Sequence, residues 1–531
     1  MALNLSRNTK VFVSSVNGTH ASGGSVKAVT ITTAGSGHAV GDRITFGSAE
    51  TSQNGEGLRV IVSAVNGSGG VTEVHIPNNY RGKLFTDGED CTQADANSSS
   101  GSGTGLVLDV TSVTGTTTTD GGRIGTGLFK GNGENANTFR VGVLDGYSFS
   151  QGSDATDVVI NEAGATPNRG QKRFNDSLPP AEWSFSTYVR PFKHGTNSNG
   201  TATEHDMVEN ILWAAIAGKS IHGEGSGTSA SAISLDSTDA DVTFANSEHH
   251  ELLKLSIFFA LENTTYRLNE CQVNQAEIDF SIDGIATIAW SGNSTTIDQI
   301  TTAIDDPNTA YSSTSGDTGG AYSANSTISN AEGFNYVDAT GPDDADYLRN
   351  KLSTLTLATL EQGGGASSGG LDAKSYDIAI TGGSITIANN ITYVTPETLG
   401  VIDKPIGSFS GARQISGSLT MYLNTTGSSG SGNGSNQLLS DLSAATDLVR
   451  NSFNMSLFMG GASSDTPVVE FDIPRAHFQV PAIEVADLIS LSVEFAAHGS
   501  DITAADEMTV KYKGLTTHSD SAYTGDLTLS T

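Results

Sequence analysis

From Glu182 to Arg190, Trp183, Phe185, Thr187 and Val189 alternate with Ser184, Ser186, Tyr188 and Arg190. A period of two marks a strand with one core face and one wet face. Similar but shorter patterns predict strands at Lys10–Ser14, Thr138–Val143, Tyr147–Ser150, Asp157–Asn161 and Leu253–Leu261. A hairpin is expected from Gln272–Asp283 and Ala286–Trp290 around Gly284, and a loop over Glu162–Pro180. Helical periodicity is clearest at Asp206–Ala217, where Val208, Ile211, Leu212, Ala215 and Ile216 form a stripe, Asp206 is the expected N-cap and Gly218 the stop. Residues Asp343–Glu361 read as a short helix followed by a strand, Leu352–Leu360.

The series then returns. GSITI, ITYV, a Gly/Ser-rich loop and SGSLTMYLN fill Gly383–Asn424, answering Gly146–Pro191. DMVENILWAAIAG (Asp206–Gly218) has a counterpart in NQLLSDLSAAT (Asn436–Thr446), and LLKLSIFFAL in SFNMSLFMGG. Beyond these, Val273 matches Phe478, Ile278 matches Ile483, Phe280 matches Val485, Ile288 matches Val493 and Trp290 matches Phe495 at constant spacing. Order, element type and spacing agree, so the chain reads as a duplicated unit. A separate repeat lies within residues 18–122: GSVKAVTI returns as GGVTEVHI, and GEGLRVIVSAV as GTGLVLDVTSV. This predicts a small all-β module of two similar halves.

Composition fits short strands joined by tight turns. Only 36% of the 531 residues are hydrophobic and 62 are Gly, and Gly, Asn, Ser and Asp supply turn geometry. The formal net charge of −31 argues against general nucleic-acid binding, which needs cations at phosphates. Cys91 and Cys271 form no CxxC and are expected as unpaired thiols. MALNLSRNTK lacks the basic and apolar regions of a secretory signal. Apolar runs such as Ile211–Ala217 are too short to span a bilayer, so no membrane anchor is expected.

Candidate chemistry is sparse. GEGSG (Gly223–Gly227) lacks the Lys and Ser/Thr of a phosphate loop, and GSGTG (Gly101–Gly105) precedes no predicted helix. His249 and His250 are adjacent and would point to opposite faces of a strand. The groups Asp236, Asp239, Asp241 and Asp343, Asp344, Asp346 lack the Gly and terminal Glu of a calcium loop. No catalytic, cofactor or metal site is expected, and the chain is read as a non-enzyme. One charge pattern stands out: Ile278, Phe280 and Ile282 share a face, with Glu277, Asp279 and Asp283 opposite. Glu484 is the expected equivalent of Asp279, so both units place an acid on a polar strand face. That face is either a solvated surface or a channel wall.

NTKVFVS, FRVGVLDGYSFSQ, VVINEAG and EWSFSTYVRP resemble the tail tube proteins of tailed bacteriophages. The resemblance covers residues 1–17 and 123–292, and through the repeat extends to 343–515. It implies a mainly β fold: two tandem tube-like β-sandwich or barrel domains, each with one short helix. They occupy 1–17 with 123–292, and 343–515. The module at 18–122 is an insertion, 293–342 a polar linker or excursion, and 516–531 a polar tail.

The implied function is a structural virion protein, the major tube protein of a phage tail, assembled in the host bacterial cytoplasm. Two domains per chain imply trimeric, pseudo-six-fold rings that stack around an acidic lumen, with Glu277, Asp279, Asp283 and Glu484 as expected lumen residues. Arg169, Lys172 and Arg173, in a largely acidic chain, are expected at contacts between rings. No cofactor is implied. The implied partners are the chain itself, the tape measure, baseplate or tail tip and terminator proteins, and genomic DNA in transit. The module should project outward, which favours a long non-contractile tail. Another virion tail or decoration protein, a surface carbohydrate-binding β-protein and a glycan hydrolase are the alternatives.

Overall fold

The computed structural model describes residues 9–14, 25–46, 56–76, 81–83, 85, 88–93, 96–99, 101–114, 124–126, 138–159, 171–194, 205–218, 233–244, 252–261, 264–300, 334–335, 346–359, 374–395, 405, 407–427, 430, 432–443, 452–485, 488–515, 517–518 and 528–529. The first unit contains β1 (Lys10–Ser14), β2 (Thr138–Val141), β3 (Ser148–Ser150), β4 (Asp154–Val159), β5 (Gln171–Ser177), β6 (Ala181–Tyr188) and helix α1 (Asn210–Ala217). It continues with β7 (Ala240–Thr243), β8 (Leu255–Leu261), the long β9 (Thr264–Ser281), β10 (Thr287–Ser294) and β11 (Thr296–Ile300). Two layers result. An outer layer runs β2–β1–β8–β9–β11, using the first half of β9. The second half of β9 passes into an inner wall, β3–β6–β10–β9.

The second unit repeats this plan. It holds β12 (Thr354–Thr359), β13 (Ile380–Ala388), β14 (Thr392–Val394), β15 (Gly407–Phe409), β16 (Gln414–Tyr422) and helix α2 (Ser435–Ser443). Then come β17 (Phe453–Met459), β18 (Val468–Phe478), β19 (Ala482–Val485), β20 (Ile489–Ala497) and β21 (Thr509–Lys513). Its outer layer runs β12–β17–β18–β21 and recruits β7 from the first unit, Ala240 pairing with Tyr512. Its wall is β13–β16–β20, followed by the end of β18 and β19.

The alternation at Trp183–Val189 does what its period demands. Trp183 and Phe185 are buried with their rings 5.2 Å apart, and Trp290 donates from Nε1 to the buried Thr187 Oγ1 at 3.0 Å. One hydrophobic core runs through both units, from Val11 to Tyr512. Helix α1 lies within it. Its sequence NILWAAIA is apolar almost all round, the mark of a helix buried on every side. The helix starts at Asn210, later than expected, because His205–Met207 pairs as a strand with Pro191–Lys193. Asp206 is therefore no helix cap; it is buried and accepts a hydrogen bond from its neighbour's N–H. Gly218 closes the helix in the left-handed conformation, as expected.

Other expectations shift. Residues 171–177, expected as loop, form β5 against β4. Residues 293–300, expected as the start of a linker, finish β10 and form β11. The helix expected before Leu352 is a short 3-10 turn, Asn350–Leu352, followed by β12.

The inserted module has a core of its own, including Val26, Phe46, Val60 and Leu108. Its two halves exchange strands: Ser25–Ser36 pairs with Thr104–Thr114, and Glu56–Val65 with Val71–His75. The first strand of each half thus completes the sheet of the other. Cys91 lies in this core and Cys271 in the larger one, both as free thiols.

Glu209, fully buried before α1, ties the two units together. Its Oε1 accepts from the Tyr512 hydroxyl at 2.8 Å, and that hydroxyl accepts from Trp213 Nε1 at 2.8 Å. Burial pushes the Glu209 carboxyl up to about 7, against the opposing pull of the Tyr512 hydrogen bond and the Arg190 charge. The folded chain holds a proton that an ordinary glutamate, near 4.5, gives up. This contribution to stability is complete below pH 4.5 and is lost as pH rises through about 7. Glu209→Gln keeps the acceptor and should remove roughly 3 kcal/mol of pH dependence. Thermal unfolding followed from about pH 5 to about pH 8 checks this, and an unaltered pH slope would refute it.

Candidate functional site

The two walls are one sheet. Strand β9 of the first unit pairs antiparallel with β13 of the second over seven positions, from Gln275 opposite Ala388 to Ser281 opposite Gly382. The combined order is β3–β6–β10–β9–β13–β16–β20–β19. One face carries the core, through residues such as Trp183, Trp290, Ile278, Ile385, Leu419 and Phe495. The other face is wet.

Sheet alternation places Glu277 and Asp279 on that wet face with Ser281, and Asp283 in the turn that follows. Glu484 lies on β19, also exposed. Its expected equivalence to Asp279 needs correcting. Asp279 pairs with Thr287, but Ser492, which stands where Thr287 stands in the first unit, pairs with Ala482. The register is already two residues off at the end of β18, where Phe478 pairs with Phe495 although its counterpart Val273 pairs with Gly292, so Glu484 keeps its face and takes the place of Ser281. Two more acids share this face: Glu182, between the buried Ala181 and Trp183, and Glu494, between the buried Val493 and Phe495. Both follow from alternation alone. Strands β3, β6, β10, β13, β16, β19 and β20 and the wall half of β9 (Gln272–Ser281) contain no Lys or Arg, and Ser and Thr fill much of the rest of the face.

Among the described residues the wall has two open ends, β3 and β19. In the first unit Ile278 and Phe280 are buried, Phe280 to 2% exposure. On β19, Ile483 and Val485 were expected to face inward likewise, but they are 53% and 81% exposed. For Ile483, which takes the place of Phe280, the reason is topological, whereas Val485 takes the place of Ile282, itself 48% exposed. β9 has β13 on its outer side, whereas β19 has no strand there among the described residues.

Two hairpins leave the same rim. β4–β5 connects the end of β3 to the start of β6, and β14–β15 connects the end of β13 to the start of β16. Nearly every residue of β5 is exposed. Lys172 and Arg173 are on this strand, and Arg169 lies outside the described residues. Arg173 is already engaged: its Nε and Nη2 reach the two carboxylate oxygens of Asp157 across the hairpin at 2.8 and 2.9 Å. That hydrogen-bonded pair holds the Asp157 carboxyl below its usual value. Lys172 Nζ lies 5.0 Å from the centre of the Phe174 ring.

Among the described residues, the exposed features are sheet edges, hairpin strands that carry apolar side chains and an acidic wall. The tail tube protein pb6 of Escherichia phage T5 is 35% identical over 373 residues, 70% of each chain. The chain belongs to the tail tube proteins of tailed bacteriophages. No family model matches it. It is accordingly a structural protein of the virion tail.

The remaining candidates are turn-forming groups in this tube protein. Asp236 Oδ1 accepts from the N–H groups of Thr238 and Asp239, while Asp241 lies on β7. Asp346 accepts from the N–H of Leu515. Asp343, Asp344, His249 and His250 lie outside the described residues. No helix among the described residues is long and apolar enough to cross a membrane.

Proposed function

We propose that three chains close into a ring, that rings stack into a tube, and that the wet face of the wall lines its lumen. The observation that carries this reading is the β9–β13 junction. It joins the last wall strand of one unit to the first wall strand of the next, within one chain. The open ends are the same two strands in the other units: β19 continues β18 as the counterpart of β9, and β3 is the counterpart of β13. A second chain can therefore add its β3 to β19 as β13 adds to β9, and an unpaired edge favours such pairing. Three chains then supply six similar units, a closed cyclic arrangement with no edge left over.

Exposed apolar side chains support stacking. They gather on the hairpin rim (Val158, Phe174, Val394, Phe409) and on the opposite rim (Ile282, Ile285, Leu352, Leu488, Ile489), besides the open edge. Unlike surfaces at the two ends suit head-to-tail growth into a filament. In this arrangement Lys172 and Arg173 sit on the arm that reaches the next ring, with Arg173 bracing the hairpin through Asp157. The acidic face repels phosphate, so DNA passes without being held. At its ends the tube would meet the other tail proteins, namely tape measure, tail tip or baseplate, and terminator.

Negative-stain microscopy and light scattering of purified protein test the reading. Three-chain rings or tubes with an open axial hole are expected. Stable single chains at high concentration would overturn it.

A further inference from the structure

The two units differ at one point on the hairpin rim. In the first, β10 passes to β11 through Thr295 alone, whose N–H and hydroxyl both bond to the Asn269 carbonyl. In the second, β20 and β21 are joined by residues 498–508. This longer connection is held in shape. Asp501 Oδ1 accepts from the N–H and hydroxyl of Thr503, each at 2.7 Å, and Asp506 Oδ1 accepts from the Ser500 N–H at 2.7 Å. At its base Glu507 pairs with Arg413 at 2.8 Å, and Met508 is buried. At its tip stands Ile502, 100% exposed. A fixed loop thus presents a bare apolar side chain between two carboxylates whose own hydrogen bonds hold them below their usual values.

The opposite rim offers a matching surface once per chain, at the β9–β10 turn of the first unit, where the 349–352 segment leading into the second unit packs against it. There Ile282, Ile285 and Leu352 are exposed beside Arg349 and Lys351, also exposed. The Asn350 N–H bonds to the Gly284 carbonyl at 3.2 Å and Ile285 bridges to Arg349, which brings the two segments together. The corresponding turn of the second unit, Val485 to Ile489, carries no Lys or Arg.

We infer that the 498–508 loop is a stacking key: Ile502, with Asp501 and Asp506, docks on the Ile282–Ile285–Leu352 surface, with Arg349 and Lys351, of a chain in the adjacent ring. This rests on the stacked-ring reading above and adds what that reading lacks. A ring of six similar units could stack in two rotational settings one unit apart. A key present once per chain, and a socket present once per chain on the other unit, select the setting that places a second unit against a first.

Ile502→Lys tests this. Its side chain touches nothing in the chain, so rings should form as before, while the concentration needed for tubes rises by about tenfold or more. Tubes from Ile502→Lys at the unaltered concentration would overturn the inference. As a second measurement, Ile502→Cys with Leu352→Cys should give disulfide-linked chains in oxidised tubes and none in isolated rings. Tubes that form without the link would overturn it equally. Failure of the parent protein to form rings would instead refute the ring reading.

Discussion

Replacing Ile483 and Val485 together by aspartate should yield a folded single chain that forms no rings. Both side chains are exposed on β19, so the exchange costs the isolated chain little. The internal junction shows what a neighbouring strand does to this position. Where β13 covers β9, Phe280 and Ile278 are almost wholly withdrawn from water. A chain adding to β19 would likewise bury the new carboxylates with no cation at hand, at a cost of several kcal/mol in each seam. Weakening on the order of a hundredfold or more per seam, repeated around a ring, is enough to stop closure. Light scattering should report one chain, and the circular dichroism melt should match the parent's. Rings from the double variant would show that β19 is not the joining edge.

The sequence made legible what a buried face imposes. Trp183, Phe185, Thr187 and Val189 repeat every second residue because one side of β6 meets the core, and the two-unit plan follows from such patterns returning in order. Strand β5 was illegible because QKRFNDS has both faces in water, and alternation needs unlike faces. β11 hid in a polar stretch for a related reason: TIDQI pairs along an edge of the outer layer with little to bury. The register difference between the units could not be read from spacing, since equal residue counts do not fix which residues face each other across two strands. Least legible were the exposed apolar residues. Ile483 and Phe280 occupy equivalent places, and only the topology shows that one has its neighbouring strand while the other, among the described residues, stands at an open edge. Of the acids on the wall, Glu182 and Glu494 were within reach of the same alternation that exposed Glu277 and Asp279.

Asp279→Lys combined with Glu484→Lys should leave assembly intact and convert the tube from one that ignores DNA to one that holds it. Both side chains project from the wet face, outside the core and perpendicular to the sheet edge at which β19 would pair, so the fold and the strand pairing do not depend on them. The wall face of each chain carries Glu182, Glu277, Asp279, Glu484 and Glu494, with no Lys or Arg in β3, β6, β10, β13, β16, β19, β20 or the wall half of β9 (Gln272–Ser281). The exchange leaves three carboxylates and introduces two cations per chain. Lysines repeated ring after ring would meet phosphates along the whole lumen, each releasing counterions from the DNA. Purified variant tubes should therefore retain duplex DNA at low salt and lose it steeply as salt rises, whereas parent tubes should retain none at either. Particles carrying the variant should eject DNA more slowly. Tubes that assemble, bind no DNA at low salt and eject it at the parent rate would place these residues outside the lumen, because lysines facing passing phosphates would hold them.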